Sequence, residues 1–274
     1  LQSSNIDLDR IRNLRIISMI IIGAVTGALS GLLGVGGGFI LVPIMVYLLG
    51  MNQHRAHGTS LAVISMVVIS SAMFYNKHGN VDWLVAIELA IGGVIGAMIG
   101  ARICTLICAG KLRRLFGALM MLVGLRMLYG AAWAAHAATP VIAGHAISAH
   151  QFWGGVLVTG IGLLTGVLSG IFGIGGGIVM VPAMVLILMF PQKLAQGISL
   201  AVIIPVSISG ALIHSKHGNV RWDTAVWLGM GGIVGGLIGA RTAVLQASDL
   251  TLKGMFGVLT LLVGVLMARR GSAA

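Results

Sequence analysis

The chain has 274 residues, of which 58% are hydrophobic and only 8% charged. Soluble domains carry about 25% charged residues, so this chain cannot cover a water-facing surface. That excludes an ordinary cytosolic enzyme and a disordered tail, and two cysteines make a disulfide scaffold implausible. Lys plus Arg number 17 against 6 Asp plus Glu, a net of +11. The cations are scattered between apolar runs rather than gathered on one face. They read as membrane orientation and an anionic small-molecule partner, with no nucleic acid.

In chain order, a polar start (LQSSNIDLDRIRNLR) shows no cleavable signal pattern. Uncharged or nearly uncharged runs then fall near 16–34, 39–50, 58–75, 83–106, 112–132, 151–173, 178–190, 197–215, 222–245 and 251–268. Most have the roughly 17–25 residues that cross a bilayer as a helix. The runs 39–50 and 178–190 are too short for a full crossing, so they are read as short or partly re-entrant segments. Trp83, Trp133, Trp153 and Trp222 stand at segment edges as interfacial anchors.

The chain repeats itself. Thr26–Arg102 matches Thr165–Arg241 with a constant shift of 139 and no gap. TGALSGLLGVGGGFILVPIMV pairs with TGVLSGIFGIGGGIVMVPAMV, and KHGNVDW with KHGNVRW. Two copies of five segments follow. With ten crossings and both ends inside, eleven Lys or Arg lie inside and only Lys77, Lys193 and Lys253 outside. With eight crossings the bias nearly vanishes, so the positive-inside rule selects ten, and an odd number per copy inverts the second. The expected class is an all-α integral membrane protein, with a Gly-rich helix break and a short segment in each inverted repeat. The expected layout is 1–15 as cytoplasmic N-terminal segment, 16–133 as repeat 1, 134–150 as external linker, 151–268 as repeat 2 and 269–274 as cytoplasmic tail.

Glycine serves two purposes. Gly23, Gly27 and Gly31 lie four apart, as do Gly92, Gly96 and Gly100, Gly162, Gly166 and Gly170, and Gly231, Gly235 and Gly239. This spacing lines one helix face, lets backbones approach closely and predicts a central bundle of these four helices. The runs Gly34–Gly38 and Gly173–Gly177 instead break a helix, since each glycine costs about 0.8–1.0 kcal/mol relative to Ala. Pro43 and Pro182, five residues on, suit the first turn of a new helix. Unwound backbone at membrane depth is tolerated only in protein or beside a wet cavity. Its N–H groups and the following helix N-terminus favour an anion; a purely conformational hinge is the alternative. The run follows no strand, and no acidic residue lies about twenty positions later, so a dinucleotide fingerprint is rejected.

The paired G-x-x-G-x-G-G-G with its downstream proline resembles the TauE/SafE family of membrane proteins, sulfite and organosulfonate exporters. The steps Ala-His-Gly-Thr-Ser-Leu at 56–61 and Ala-Gln-Gly-Ile-Ser-Leu at 195–200 are similar to it too. The resemblance implies transport of small anionic sulfur compounds. Ile198 stands where the first copy has Thr59, so the half-sites are not chemically equal.

The candidate substrate-binding set is Gly36, Gly37, Gly38, Gly175, Gly176 and Gly177 in the breaks, with Ser60, Ser199, Gln53 and Gln192 nearby in sequence. The serines either line the site or bond back to their own helices. Arg102 and Arg241 end the glycine ladders and either meet a sulfonate with forked donors or snorkel to headgroups. The KHGN segments at 77–80 and 216–219 read as tight turns, with His78 and His217 as possible proton handles. Glu88 and Arg126, unmatched in the second copy, sit at similar depth and suggest an ion pair; Glu88 is also a candidate proton carrier. Cys104 and Cys108 lack the companions of a metal site. No catalytic motif, metal or cofactor is expected, and oligomerisation is left open. The expected activity is secondary export of sulfite or an organosulfonate across the cytoplasmic (inner) membrane, by alternating access around the paired breaks. An anion channel, or a carrier of another oxyanion or carboxylate, is the alternative.

Overall fold

The computed structural model describes residues 2–104, 109–136, 152–172 and 176–270; side-chain surroundings are described for 13–52, 54–99, 117–130, 155–168 and 176–266. Among the described residues there are ten α-helices: α1 (Gln2–Leu33), α2 (Gly38–Tyr47), α3 (Gln53–Lys77), α4 (Trp83–Cys104), α5 (Ala109–His136), α6 (Phe152–Phe172), α7 (Gly177–Leu186), α8 (Gln192–Lys216), α9 (Trp222–Arg241) and α10 (Asp249–Arg270). A π-helical turn, Thr242–Gln246, extends α9. Among the described residues, five segments are long and apolar enough to cross a membrane: Asn13–Leu33, His54–Lys77, Gln192–Lys216, Trp222–Gln246 and Asp249–Leu266. The helices turn apolar side chains outward: Ile17, Ile21 and Val25 on α1, and Val226, Met230 and Val234 on α9, are all exposed. Glycine faces inward instead, an arrangement suited to a lipid surround.

The glycine ladders meet across the two copies. α1 packs along α9, and α4 along α6. A Cβ at Gly27 would lie 2.8 Å from Gly232 Cα, and one at Gly166 2.8 Å from Gly93 Cα. Both distances are shorter than a side chain permits. The ladder helices thus form two pairs rather than the expected single central bundle. Between the pairs lie α3 and α8, which pack on each other, on α9 and α4 respectively, and on the short helices α2 and α7. The reason is steric. A glycine face fits only another close backbone, whereas α3 and α8 carry Val67, Val68, Leu200 and Val202 into the buried core.

Equivalent helices α3 and α8 run antiparallel. Gly58, at the start of α3, sits against His214 near the end of α8, and Gly197, at the start of α8, against Tyr75 near the end of α3. The two KHGN segments are tight turns, with Gly79 at φ 72° and Gly218 at φ 67°. Asn80 N donates to Tyr75 O and Asn219 N to His214 O, closing each helix end. The Asn80 carbonyl then rests on Gly197, and the Asn219 carbonyl on Gly58. Two motifs separated in the sequence therefore touch across the copies. His78 and His217 are exposed, and each ring pairs with a carbonyl of its own helix through Nδ1.

Two expectations fail here. Pro43 and Pro182 lie inside α2 and α7 rather than in their first turns, because Gly37 and Gly176 cap the helices and let them start earlier. Glu88 and Arg126 form no ion pair among the described residues. Glu88 lies on the α4–α6 contact, where a Cβ at Gly155 would be 3.1 Å from its Oε1, and its buried Oε2 has no hydrogen-bond partner there. Arg126 lies in the α5–α10 pair, beside a 150 Å³ groove shared with Lys253. Equal depth did not mean a shared face. Cys108 and the linker 137–151 lie outside the described residues.

Gly27→Val should lower stability by about 1–3 kcal/mol or abolish folding. Gly160→Ala, with nothing within 4 Å, should raise it by about 0.5–1 kcal/mol; thermal melting in detergent checks both. Glu88→Gln and Arg126→Gln should be additive to within about 0.5 kcal/mol in a double-mutant cycle.

Candidate functional site

The interruption between α1 and α2 is built from glycines that only glycine can serve. Gly34, Gly36 and Gly37 have φ of 70°, 79° and 72°, left-handed values costing another residue about 1–2 kcal/mol. Gly34 N donates to Ser30 O, and Gly37 O accepts from Ile40 N and Leu41 N. Between these bonds, the N–H groups of Val35, Gly36 and Gly37 find no backbone acceptor among the described residues, although all three residues are buried. Buried backbone donors without a partner are rare and costly.

The second copy brings Gly177, the start of α7, to the same place. A Cβ at Gly177 would lie 2.9 Å from Val35 Cα and 3.0 Å from Ser199 Oγ. One at Gly38 would lie 3.7 Å from Ser60 Oγ. Each serine thus stands beside the glycine that opens the short helix of its own copy. A cavity of about 30 Å³ separates the two copies here, lined by Val35, Gly36, Gly38, Gly176 and Ser207 among others. It has room for about one or two waters, so the site is nearly closed. A second gap, behind Gly36 and Gly37, is lined by Thr26 and Ser30. A roomier cavity of about 220 Å³ between α5, α6 and α7 is apolar apart from Thr165, whose hydroxyl is bound to Ile161 O and Gly162 O. It offers an anion nothing.

Helix α8 supplies a polar face that motif reading largely missed. Gln192, Gln196 and Ser199 follow at i, i+4 and i+7, and all are fully buried. Both side-chain polar atoms of Gln192, Nε2 of Gln196 and Oγ of Ser199 lack hydrogen-bond partners among the described residues. Tyr75 Oη, also fully buried, lies 3.1 Å from Gly31 O and 3.0 Å from Gln196 Oε1, and its single proton serves one of them at a time. This ties α3, α8 and the end of α1 together beside the break, where Gln196 Cα stands 2.7 Å from a Cβ at Gly34. The spacing of Gln196 from Gln192 and Ser199 was available in the sequence. Tyr75 gave no such signal, because its counterpart is His214.

Among the other candidates, Gln53 begins α3 with its side chain outside the described set, as is that of Arg102; Gly175 lies outside it altogether. Arg241 ends α9 at the depth of Leu32 and is exposed, with no hydrogen-bond partner among the described residues. The copies also differ as Thr59 and Ile198 foretold: Thr59 Oγ1 accepts from Arg221 N at 3.0 Å, a bond Ile198 cannot make. No cluster of three metal-ligating side chains occurs among the described residues.

Comparison with known proteins supplies the family. The family model described as "Sulfite exporter TauE/SafE" matches residues 3–127 and 158–274. A probable membrane transporter protein of Xylella fastidiosa (strain 9a5c) is 34% identical over 259 residues, covering 92% of this chain and 94% of that protein. The probable membrane transporter protein YunE of Bacillus subtilis (strain 168) is 33% identical over 240 residues, covering 81% and 86%. A probable membrane transporter protein of Methanocaldococcus jannaschii is 31% identical over 209 residues, covering 74% and 73%. No solved structure matches significantly. With its apolar helices, paired glycine runs and this coverage, the chain belongs to the TauE/SafE family and is an integral membrane transporter.

Proposed function

We propose that the protein exports a small anionic sulfur compound, sulfite or an organosulfonate, by alternating access between two inverted repeats of five segments. The observation that carries this reading is the set of buried N–H groups at Val35, Gly36 and Gly37, which have no backbone acceptor among the described residues. An oxyanion supplies the acceptors these groups lack, and Gly38 and Gly177 add the N-termini of α2 and α7. Around them Ser199, Gln192 and Gln196 have free hydrogen-bonding capacity, and Ser60 stands beside Gly38. None of the residues lining the two gaps is a carboxylate. Gly175, Gly176 and Gln53 complete the set by repeat symmetry, and Arg102 and Arg241 are assigned to the approach path.

The antiparallel run of α3 and α8, and the reciprocal pairing of α1 with α9 and α6 with α4, support inversion. Alternating access then exchanges the roles of the two ends. The near-closed cavity favours a carrier over a channel. Repeat 1 spans 16–133, the external linker 134–150 and repeat 2 151–268, with both termini on the cytoplasmic side of the inner membrane. Outward movement of one negative charge gains about 2.3 kcal/mol per 100 mV with the interior negative, so export requires no nucleotide.

Reconstituted into proteoliposomes, the protein should show saturable sulfite or taurine flux with counterflow. Gly37→Ala, forced into φ near 72°, should reduce it about tenfold, the equivalent of 1.4 kcal/mol, while Gly160→Ala should retain it. Flux without saturation or counterflow would indicate a channel, and normal transport by Gly37→Ala would remove the break from the binding site.

A further inference from the structure

The shift of 139 that relates the copies pairs Gln196 with His57 and Tyr75 with His214. At one end of the molecule the pair is a neutral lock, with Tyr75 Oη 3.0 Å from Gln196 Oε1. At the other end the same positions hold two imidazoles. His214 Cβ lies 2.8 Å from a Cβ at Gly58, the residue next to His57, just as Tyr75 Cδ1 lies 3.1 Å from one at Gly197. Both histidines are partly buried and lie within electrostatic reach of each other and of His54. His217 is turned to its own helix by the Ile213 carbonyl.

We propose that His57 and His214 form the proton-binding site that couples transport to protons. The inference rests on the alternating-access reading above. No hydrogen bond joins the two rings among the described residues; this end is held by the packing of His214 and of the Asn219 carbonyl on Gly58. A proton taken from water by one ring places a positive charge within reach of the other; a second leaves two cations that repel. The surrounding groups favour separation. Arg55 on α3, Lys216 on α8 and Arg221 before α9 stand at this end with His54, Tyr47 at the close of α2 and Arg15 on α1. Among the described side chains, the carboxylate of Asp223 stands beside them and is held by Arg221 Nη2 at 2.9 Å. Proton uptake therefore opens this end to water and to the anion, which neutralises the added charge. At the Tyr75–Gln196 end the bonded pair carries no imidazole, and the nearby His78 ring is turned to its own helix by the Phe74 carbonyl.

Two measurements on the full chain in lipid nanodiscs or proteoliposomes decide the matter. The first is amide hydrogen exchange of the 210–222 segment, compared between proteins at the same pH so that intrinsic rates cancel. After division by the intrinsic rate at each pH, exchange there should rise about tenfold between pH 8 and 6 in the wild type. It should stay flat in His57→Gln/His214→Tyr, which copies the opposite end, and in the milder His214→Gln. His54→Asn/His217→Asn should behave as wild type. The second is sulfite flux driven by a pH gradient, which the double variant should lose while keeping flux down a sulfite gradient. An unchanged pH response in the double variant and His214→Gln, or its loss in His54→Asn/His217→Asn, overturns the assignment. The exchange experiment needs no substrate, so a failure of sulfite transport leaves it decisive.

Discussion

A backbone N–H removed from water must find an acceptor, and in the interior of a membrane protein there is little else to offer one. The interruption between α1 and α2 leaves three such groups, on Val35, Gly36 and Gly37, buried and without a backbone partner among the described residues. The surrounding architecture keeps them in that condition. Left-handed glycines hold the chain out of helix, Gly177 of the other copy closes over Val35, and Ser199 stands beside it. Under the proposed export, neutral donors suit an anion that must also leave. An amide cradle attracts negative charge without the desolvation penalty and tight grip of a buried cation.

The glycine ladders make that geometry affordable in space. Because α1 and α9, and α4 and α6, approach almost backbone to backbone, the two ladder pairs grip the molecule from either side. The bulkier faces of α3 and α8 meet between them. Each copy contributes one helix to each pair, so neither copy folds around itself; the interface between copies is the core of the protein. Movement of one copy relative to the other would be felt directly where Val35 meets Gly177 and where each asparagine turn rests on the opposite glycine.

Much of this was legible in the sequence because it is written in period and repetition. Ten segments, the two short helices, the KHGN turns and the interruption at 34–37 follow from apolar run lengths and from what glycine does to a helix. Partner choice was not legible. The fourfold glycine spacing says that a face is thin, but not that α1 meets α9. Glu88 and Arg126 share a depth yet belong to different helix pairs, which a one-dimensional count of residues cannot reveal. Pro43 looked like a helix start because it marks the end of the glycine run, whereas Gly37 itself caps α2. Gln196 was visible as the middle member of a buried stripe on α8. Tyr75 was hidden, since its value lies in a bond across 121 positions.

The central claim concerns where the anion sits. A density map of the protein in lipid nanodiscs with sulfite or a sulfonate present tests it most directly. The account predicts a compact density within hydrogen-bonding distance of the Val35, Gly36 and Gly37 amides, beside Ser199 and the start of α7. An anion bound elsewhere, or helix running unbroken through residues 34–37, would contradict it.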